Sequence, residues 1–222
     1  MLFKQLIDAF RGGNLLQQAL QQSRKMLSTD HKMFVEACKS LRERDTADFS
    51  FDIHEKDKEI NAYERQVRNK VLTHLVVSEG QDIQAGLGLV SVVIDIERIG
   101  DYTKNIAELA AAHPKRLVAG SLEERLGAIE NEVSRTFENC AKAFHDNNTE
   151  LARELMLAHK KEVTRNCDRL IDDFIREEVS DITLGAAVAA GIYTRYLKRI
   201  NAHLKNIATS LVNPFERIGF QE

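Results

Sequence analysis

Apolar residues recur at three- and four-residue intervals along nearly the whole chain, which is the period of amphipathic α-helices. A short apolar stripe near the N-terminus ends at Gly12 and Gly13, and six long stretches follow it. The predicted long helices cover approximately residues 15–41, 52–78, 82–112, 121–146, 149–176 and 180–212. Helices of this length are typical of bundles, in which each helix packs its apolar face against neighbours. The chain is therefore predicted to be all-α.

Polar and turn-forming residues mark the ends of these helices. Residues 45–50 break the first long helix. Asp82 is predicted to cap the third helix, and Ser121 is predicted to cap the fourth, with Glu124 at the capping-box position. Residues 113–120, which include the dipeptide His-Pro, form the clearest linker in the sequence.

An internal repeat organises the six helices into two halves. Residues 97–107 (ERIGDYTKNIA) match residues 198–208 (KRINAHLKNIA) at six of eleven positions, 101 residues later. A patch of small residues precedes each copy at the same offset, and it would let helices pack closely. The repeat predicts two tandem three-helix bundles. The first unit covers residues 1–112, with an N-terminal amphipathic segment, and the second covers residues 121–222.

Composition and charge exclude several classes of protein. The formal net charge is −3, and acidic and basic side chains are nearly balanced in both halves, so nucleic acid is not expected as a partner. Three widely spaced cysteines without a Cys-x-x-Cys pair indicate a reducing compartment and ordinary packing roles. The longest uncharged run, 182–194, is too short to span a bilayer, and no signal peptide is recognised. We therefore expect a soluble, cytoplasmic protein.

The N-terminal segment has an apolar face that is separated from the first long helix by two glycines. This face is predicted to contact a partner, the bilayer surface or the protein's own bundle. Its members are Leu2, Phe3, Leu6, Ile7 and Phe10.

Two acidic rows are candidates for a metal site. Glu97 and Asp101 share one face of the third long helix, and the second helix carries a row of its own. That second row consists of Asp57, Asn61 and Glu64. If the two helices pack antiparallel, these oxygen atoms would face each other and suit a hard cation, iron or manganese. The alternatives are that both rows are solvated faces, or that nearby lysine and arginine side chains neutralise them.

A di-iron oxidase is the enzymatic competitor, since it also occupies a helical bundle. That class needs an acidic residue three positions before a histidine, and none of the seven histidines has one. The histidines are interpreted as surface or boundary residues. A metal-dependent hydrolase or oxidase remains the alternative function, although the sequence offers no base for it.

The stretch 97–107 resembles the signature of the PhoU family, and residues 57–64 (DKEINAYE) resemble the motif of its preceding helix. The two-repeat organisation extends the resemblance over most of the chain. The beginning MLFKQLIDAF and the ending NPFERIGF are similar to stand-alone members associated with sodium/phosphate symporters.

The resemblance implies a non-enzymatic regulator of phosphate homeostasis that restrains phosphate uptake or signalling. It implies contact with a phosphate transporter, either a sodium/phosphate symporter or an ABC transporter, and it also allows for a sensor kinase. Peripheral membrane association and a homo-oligomer are compatible with it. Metal clusters on the acidic helix motifs are a further implication, with iron, zinc, manganese or magnesium as the candidate ion.

The second half departs from the family pattern. Lys198 and Ala202 occupy the positions of Glu97 and Asp101. The other acidic row is replaced as well, by Lys160, Thr164 and Cys167. These substitutions remove ligands and add positive charge, so a metal site is expected in the first repeat only.

Overall fold

Seven α-helices are present in the part of the chain that the computed structural model describes, residues 15–157 and 162–220. Their bounds are α1 Leu15–Glu43, α2 Ile53–Val77, α3 Ile83–Ala112, α4 Glu123–Asp146, α5 Thr149–Leu157, α6 Glu162–Ile175 and α7 Leu184–Val212. Short 3-10 turns lie at Gly120–Leu122 and Phe215–Arg217. No strand occurs among the described residues, which confirms the all-α prediction.

Helices α1, α2 and α3 pack against one another, while α7 packs against α4, α5 and α6. The first group and the second group meet along two helix pairs, α3 with α7 and α1 with α4. Helices α1, α3, α4 and α7 therefore occupy the middle of the molecule, where they bury most of their apolar faces. The division at residues 112 and 121 stays a prediction.

The packing of α3 against α7 carries the symmetry of the sequence repeat. Asp95 accepts a hydrogen bond from His203 at 2.7 Å, and the rings of Tyr102 and Tyr196 lie 6.0 Å apart. With the repeat offset of 101 residues, the position of Asp95 is equivalent to that of Tyr196, and the position of Tyr102 is equivalent to that of His203. Exchanging the two helices thus maps one contact onto the other, as expected for a local two-fold relation.

The segment between the halves is fixed to α1. Leu117 is fully buried, and its backbone N–H donates to the carbonyl of Leu41 at 2.7 Å. The guanidinium of Arg42 donates to the carbonyl of Leu117. Residues 113–120 therefore form an anchored connection.

One predicted helix cap is wrong, and the other is right in position only. Asp82 is the N-cap residue of α3, but its side chain makes no capping hydrogen bond and lies 2.8 Å from Nε2 of His74 instead. Ser121 lies inside a 3-10 turn and donates to Asp181 at 3.1 Å, so α4 begins two residues later than predicted. The interpretation of the histidines as surface or boundary residues is wrong for His74, which is buried and contacts the carboxylate of Asp82.

Several sequence predictions lie outside the described residues. These are the N-terminal apolar face of residues 2–10 and Lys160. The predicted fifth helix, 149–176, is described on both sides of residues 158–161 as α5 and α6. Among the described helices, none is both long enough and apolar enough to cross a membrane.

Candidate functional site: an acidic cluster of the first half

The antiparallel packing of α2 and α3 brings the two predicted acidic rows together. The ammonium group of Lys104, on α3, joins them, because its Nζ lies 2.9 Å from Oδ2 of Asp57 and 3.1 Å from Oδ1 of Asp101. Asn61 donates to the same oxygen of Asp57 at 3.3 Å. Burial would lower the pKa of Lys104, but its hydrogen bonds to the two carboxylates outweigh burial and raise it. Lys104 is therefore a built-in counter-ion.

Arginine side chains neutralise the outer part of the cluster. Arg98 lies 3.3 Å from Oδ2 of Asp101 and 3.6 Å from Oε2 of Glu97, and it is half exposed. Arg68 pairs with Glu64 at 2.8 Å one helical turn away. Exposed pairs of this kind contribute less than about 1 kcal/mol each. Both cations suggested as rival partners are thus present, Lys104 between the two acidic rows and Arg98 in weaker contacts at the rim.

The inner wall of the cluster is a residue that the sequence interpretation missed, Asp30 of α1. Its side chain is completely buried, and neither carboxylate oxygen has a hydrogen-bond partner. Burial raises the pKa of Asp30 well above its usual value, and the neighbouring carboxylates of Asp57, Glu97 and Asp101 raise it further. An isolated buried carboxylate costs several kcal/mol, so this position demands a proton or a cation.

Gly100 explains how α1 approaches α3 at this point. A Cβ atom at Gly100 would lie 2.8 Å from Oδ1 of Asp30 and 3.5 Å from Cδ1 of Ile60. A glycine inside a helix costs about 1 kcal/mol relative to alanine. Here it makes room for the buried carboxylate between Glu97 and Asp101. The sequence does carry a signal for this residue, because Asp30 interrupts the inner apolar face of α1. The role of Asp30 can be inferred only when the packing of α1 against α3 is known.

The cluster contains carboxylate oxygens of the kind that bind cations, but the ammonium group of Lys104 lies between two of them. In the part of the chain that is described, no three carboxylate, imidazole or thiol side chains converge closely enough to hold a metal ion. The Lys104 ammonium separates Asp57 from Asp101 instead. The unpartnered oxygens of Asp30 and the raised pKa of Glu97, caused by burial and then by Asp101, show that the negative charge is incompletely balanced. The residues are thus oxygen donors of the kind that hard cations prefer, and the Lys104 ammonium occupies the place between Asp57 and Asp101.

The equivalent place in the second half lacks this charge. Asn201 stands where Gly100 stands and is buried, and Lys198 forms an ion pair with Asp168. Cys167 is buried, and Ala202 supplies no ligand.

Residues 23–110 match the sequence model of the PhoU domain. The chain carries a PhoU domain. The match covers most of α1, all of α2 and nearly all of α3, including the acidic cluster. No curated protein matches the chain significantly.

The PhoU fold extends beyond the matched domain. The chain is similar to the crystal structure of PhoU from Pseudomonas aeruginosa, with a TM-score of 0.78 and 20% identity, covering 89% of this chain and 95% of that one. It is also similar to the phosphate transport system regulatory protein PhoU from Streptococcus pneumoniae. There the TM-score is 0.68 at 17% identity, over 96% of this chain and 95% of the other. Both halves therefore share the fold of PhoU proteins.

Proposed function

We propose that this protein is a non-enzymatic regulator of phosphate homeostasis that restrains phosphate uptake through contact with a phosphate transporter. The observation that carries the proposal is the PhoU-domain match over residues 23–110. The fold similarity supports it over the rest of the chain, since the similar Streptococcus pneumoniae protein is a regulatory protein of a phosphate transport system. A sodium/phosphate symporter or an ABC transporter is the proposed partner.

The regulatory role is tested by measuring uptake of radioactive phosphate in cells that lack the gene. Loss of the protein should raise the initial uptake rate at high external phosphate, and a plasmid copy should restore restraint. An unchanged rate under both phosphate-replete and phosphate-starved conditions would remove the proposal.

The acidic cluster is proposed to hold a metal ion, in exchange for the Lys104 ammonium. Asp30, Asp57, Glu97 and Asp101 would supply carboxylate oxygens from three helices, and Asn61 and Glu64 lie at the edge of the same surface. Oxygen ligands of this kind suit magnesium, manganese or iron, and zinc also accepts carboxylates. A bound ion would tie α1, α2 and α3 together and stabilise the folded state.

The metal proposal is tested by metal analysis and by melting with and without chelator. Asp30→Asn keeps the shape of the side chain but removes its charge, so it should reduce bound metal. Lys104→Met removes the competing ammonium and should increase it, whereas the combined change of Glu97→Ala and Asp101→Ala should abolish it. The matched control is Lys205→Met at the equivalent position of the second half, which should leave metal content unchanged. Wild-type protein that takes up no metal under any loading condition would contradict the proposal.

The alternative function, a metal-dependent hydrolase or oxidase, needs a base and an open coordination position beside the cluster. The described side chains that hydrogen-bond to Asp57 and Asp101 are those of Asn61, Arg98 and Lys104. An amide and a guanidinium are poor general bases, and the two carboxylates raise the pKa of Lys104 and so favour its charged form. Turnover assays on the metal-loaded protein distinguish this alternative from a regulator.

A further inference from the structure

A basic cleft lies between α1 and α4, where the two halves of the molecule meet. Its volume is about 220 Å³, which is ample for a small ion with part of its water shell. The lining residues are Arg24, Leu27, Ser28, His31, Ala141, Lys142, Phe144 and His145. Two permanent cations, two imidazoles and a hydroxyl line the cleft, and no carboxylate is among the lining residues.

The guanidinium of Arg24 is held by neutral groups. It donates from Nε to the carbonyl of Phe144 at 3.3 Å and from Nη2 to Oδ1 of Asn147 at 2.8 Å. By contrast, Arg42 lies farther along α1 and binds two carboxylates of α4, those of Glu123 and Glu130. The positive charge of Arg24 therefore has no carboxylate within ion-pair distance among the described residues.

Negative charge near the cleft is limited and lies outside it. Asp146 acts on Arg24 only through space, and its carboxylate already pairs with His145 at 2.9 Å. Glu138 acts on His31 from a distance in the same way. Neither carboxylate lines the cleft, so the cleft keeps a net positive charge.

The cleft also offers unused hydrogen-bond donors. A guanidinium has five N–H groups, and the two contacts of Arg24 leave three of them without a partner among the described residues. Lys142, one turn before His145 on α4, is exposed and has no carboxylate partner in the described part of the chain. Guanidinium and ammonium donors on two facing helices are the arrangement that binds oxyanions, since charge-assisted hydrogen bonds are stronger than neutral ones.

We propose that this cleft binds a tetrahedral oxyanion of the phosphate class, with Arg24 and Lys142 as the principal contacts. The charge and the donors argue for an oxyanion on their own, and the choice of phosphate rests on the proposed function. Because the two cations lie on α1 and α4, a bound phosphate would join the two halves. The protein would then read the phosphate level directly, independently of its contact with a transporter.

The test is isothermal titration calorimetry of the full chain with inorganic phosphate at low ionic strength. Wild-type protein should bind one phosphate, and equal concentrations of chloride or acetate should not compete. Arg24→Met should weaken binding about tenfold or more, because a hydrogen bond to a charged group contributes roughly 1.5–3 kcal/mol. Lys142→Met should weaken binding about threefold or more through the loss of one charge at a more exposed position.

Control variants keep this test independent of folding and of the proposed function. Lys39→Met removes an exposed lysine elsewhere on α1 and should leave phosphate affinity unchanged. Because Lys142 is exposed, its replacement leaves the fold intact even if Arg24→Met destabilises the helix pair. Absence of phosphate binding by the wild-type chain, or full affinity in both cleft variants, would overturn the inference. Either result would leave the effect of the protein on phosphate uptake untouched.

Discussion

Arg42 offers the sharpest test of how the two halves hold together. Its side chain, only 9% exposed, lies between α1, the anchored connection and α4. It binds the carboxylates of Glu123 and Glu130 and the carbonyl of Leu117. Replacing Arg42 with methionine keeps much of the apolar volume and removes every one of these polar contacts.

The expected loss of stability follows from the Glu130 carboxylate, which stays buried when Arg42 is removed. Glu130 is 18% exposed, and without Arg42 its only remaining hydrogen bond among the described residues is the 2.9 Å bond from the hydroxyl of Tyr193. Breaking a buried ion pair from one side costs about 3–5 kcal/mol. Glu123 is 44% exposed and regains water, which places the estimate for Arg42→Met near the lower end, at about 3 kcal/mol. For a chain of this size, that loss corresponds to a fall in Tm of about 6–12 °C.

The assay is equilibrium unfolding by denaturant, together with thermal melting, for Arg42→Met and a matched control. Arg125→Met removes an ion pair with Asp173 whose two side chains are 46% and 21% exposed, so it should cost less than about 1 kcal/mol. Combining Arg42→Met with Glu130→Gln should recover part of the loss, because the stranded charge is removed. If Arg42→Met costs no more than Arg125→Met, the buried contacts do not hold the halves together and this reasoning is refuted.

Three further predictions concern backbone packing, thiols and pH. Gly100→Ala should destabilise the protein by about 1 kcal/mol, because crowding against Asp30 outweighs the higher helix preference of alanine. The control is Gly127→Ala, whose added Cβ meets no atom within 4 Å and which should therefore raise the free energy of unfolding. Equal effects of the two substitutions on unfolding in urea would refute the packing argument. The three cysteines are buried, and burial raises the pKa of the Cys140 and Cys167 thiols to about 12. A thiol reagent at neutral pH should therefore label the cysteines only when the protein unfolds. Rapid labelling of the native protein would contradict this prediction. Burial raises the pKa of Glu130, so between its unfolded and its folded pKa the native protein holds a proton that the unfolded chain has lost. The contribution of Glu130 to the free energy of unfolding should therefore fall as the pH rises through this interval. Unfolding curves between pH 4 and pH 7 should show a weaker decline of stability for Glu130→Gln than for the wild-type protein, and parallel declines would contradict the assignment.

The positions of the helices could be predicted from the sequence because they depend on local periodicity. The break at residues 45–50 and the ends of α3 and α4 agree with the structure within a few residues. The approach of the two acidic rows also followed from sequence, since a short turn joins α2 to α3 and forces them antiparallel.

The inner part of the acidic cluster could not be predicted in the same way. Asp30 reaches the cluster only because α1 packs against Gly100 of α3, a contact between residues 70 positions apart. The local capping rule correctly places Asp82 at the start of α3, but it does not foresee that the carboxylate contacts His74 instead of the helix backbone. The basic cleft depends on how α1 crosses α4, which no local pattern specifies.

The most direct test of the proposed function is to isolate the full-length protein, tagged at its C-terminus, from native membranes and to identify what accompanies it by mass spectrometry. We predict that a phosphate transporter is enriched, in amounts that change with the phosphate supply of the cells. Recovery of the protein without any phosphate transporter, under both replete and starved conditions and after mild cross-linking, would contradict the proposal that it regulates uptake by contact.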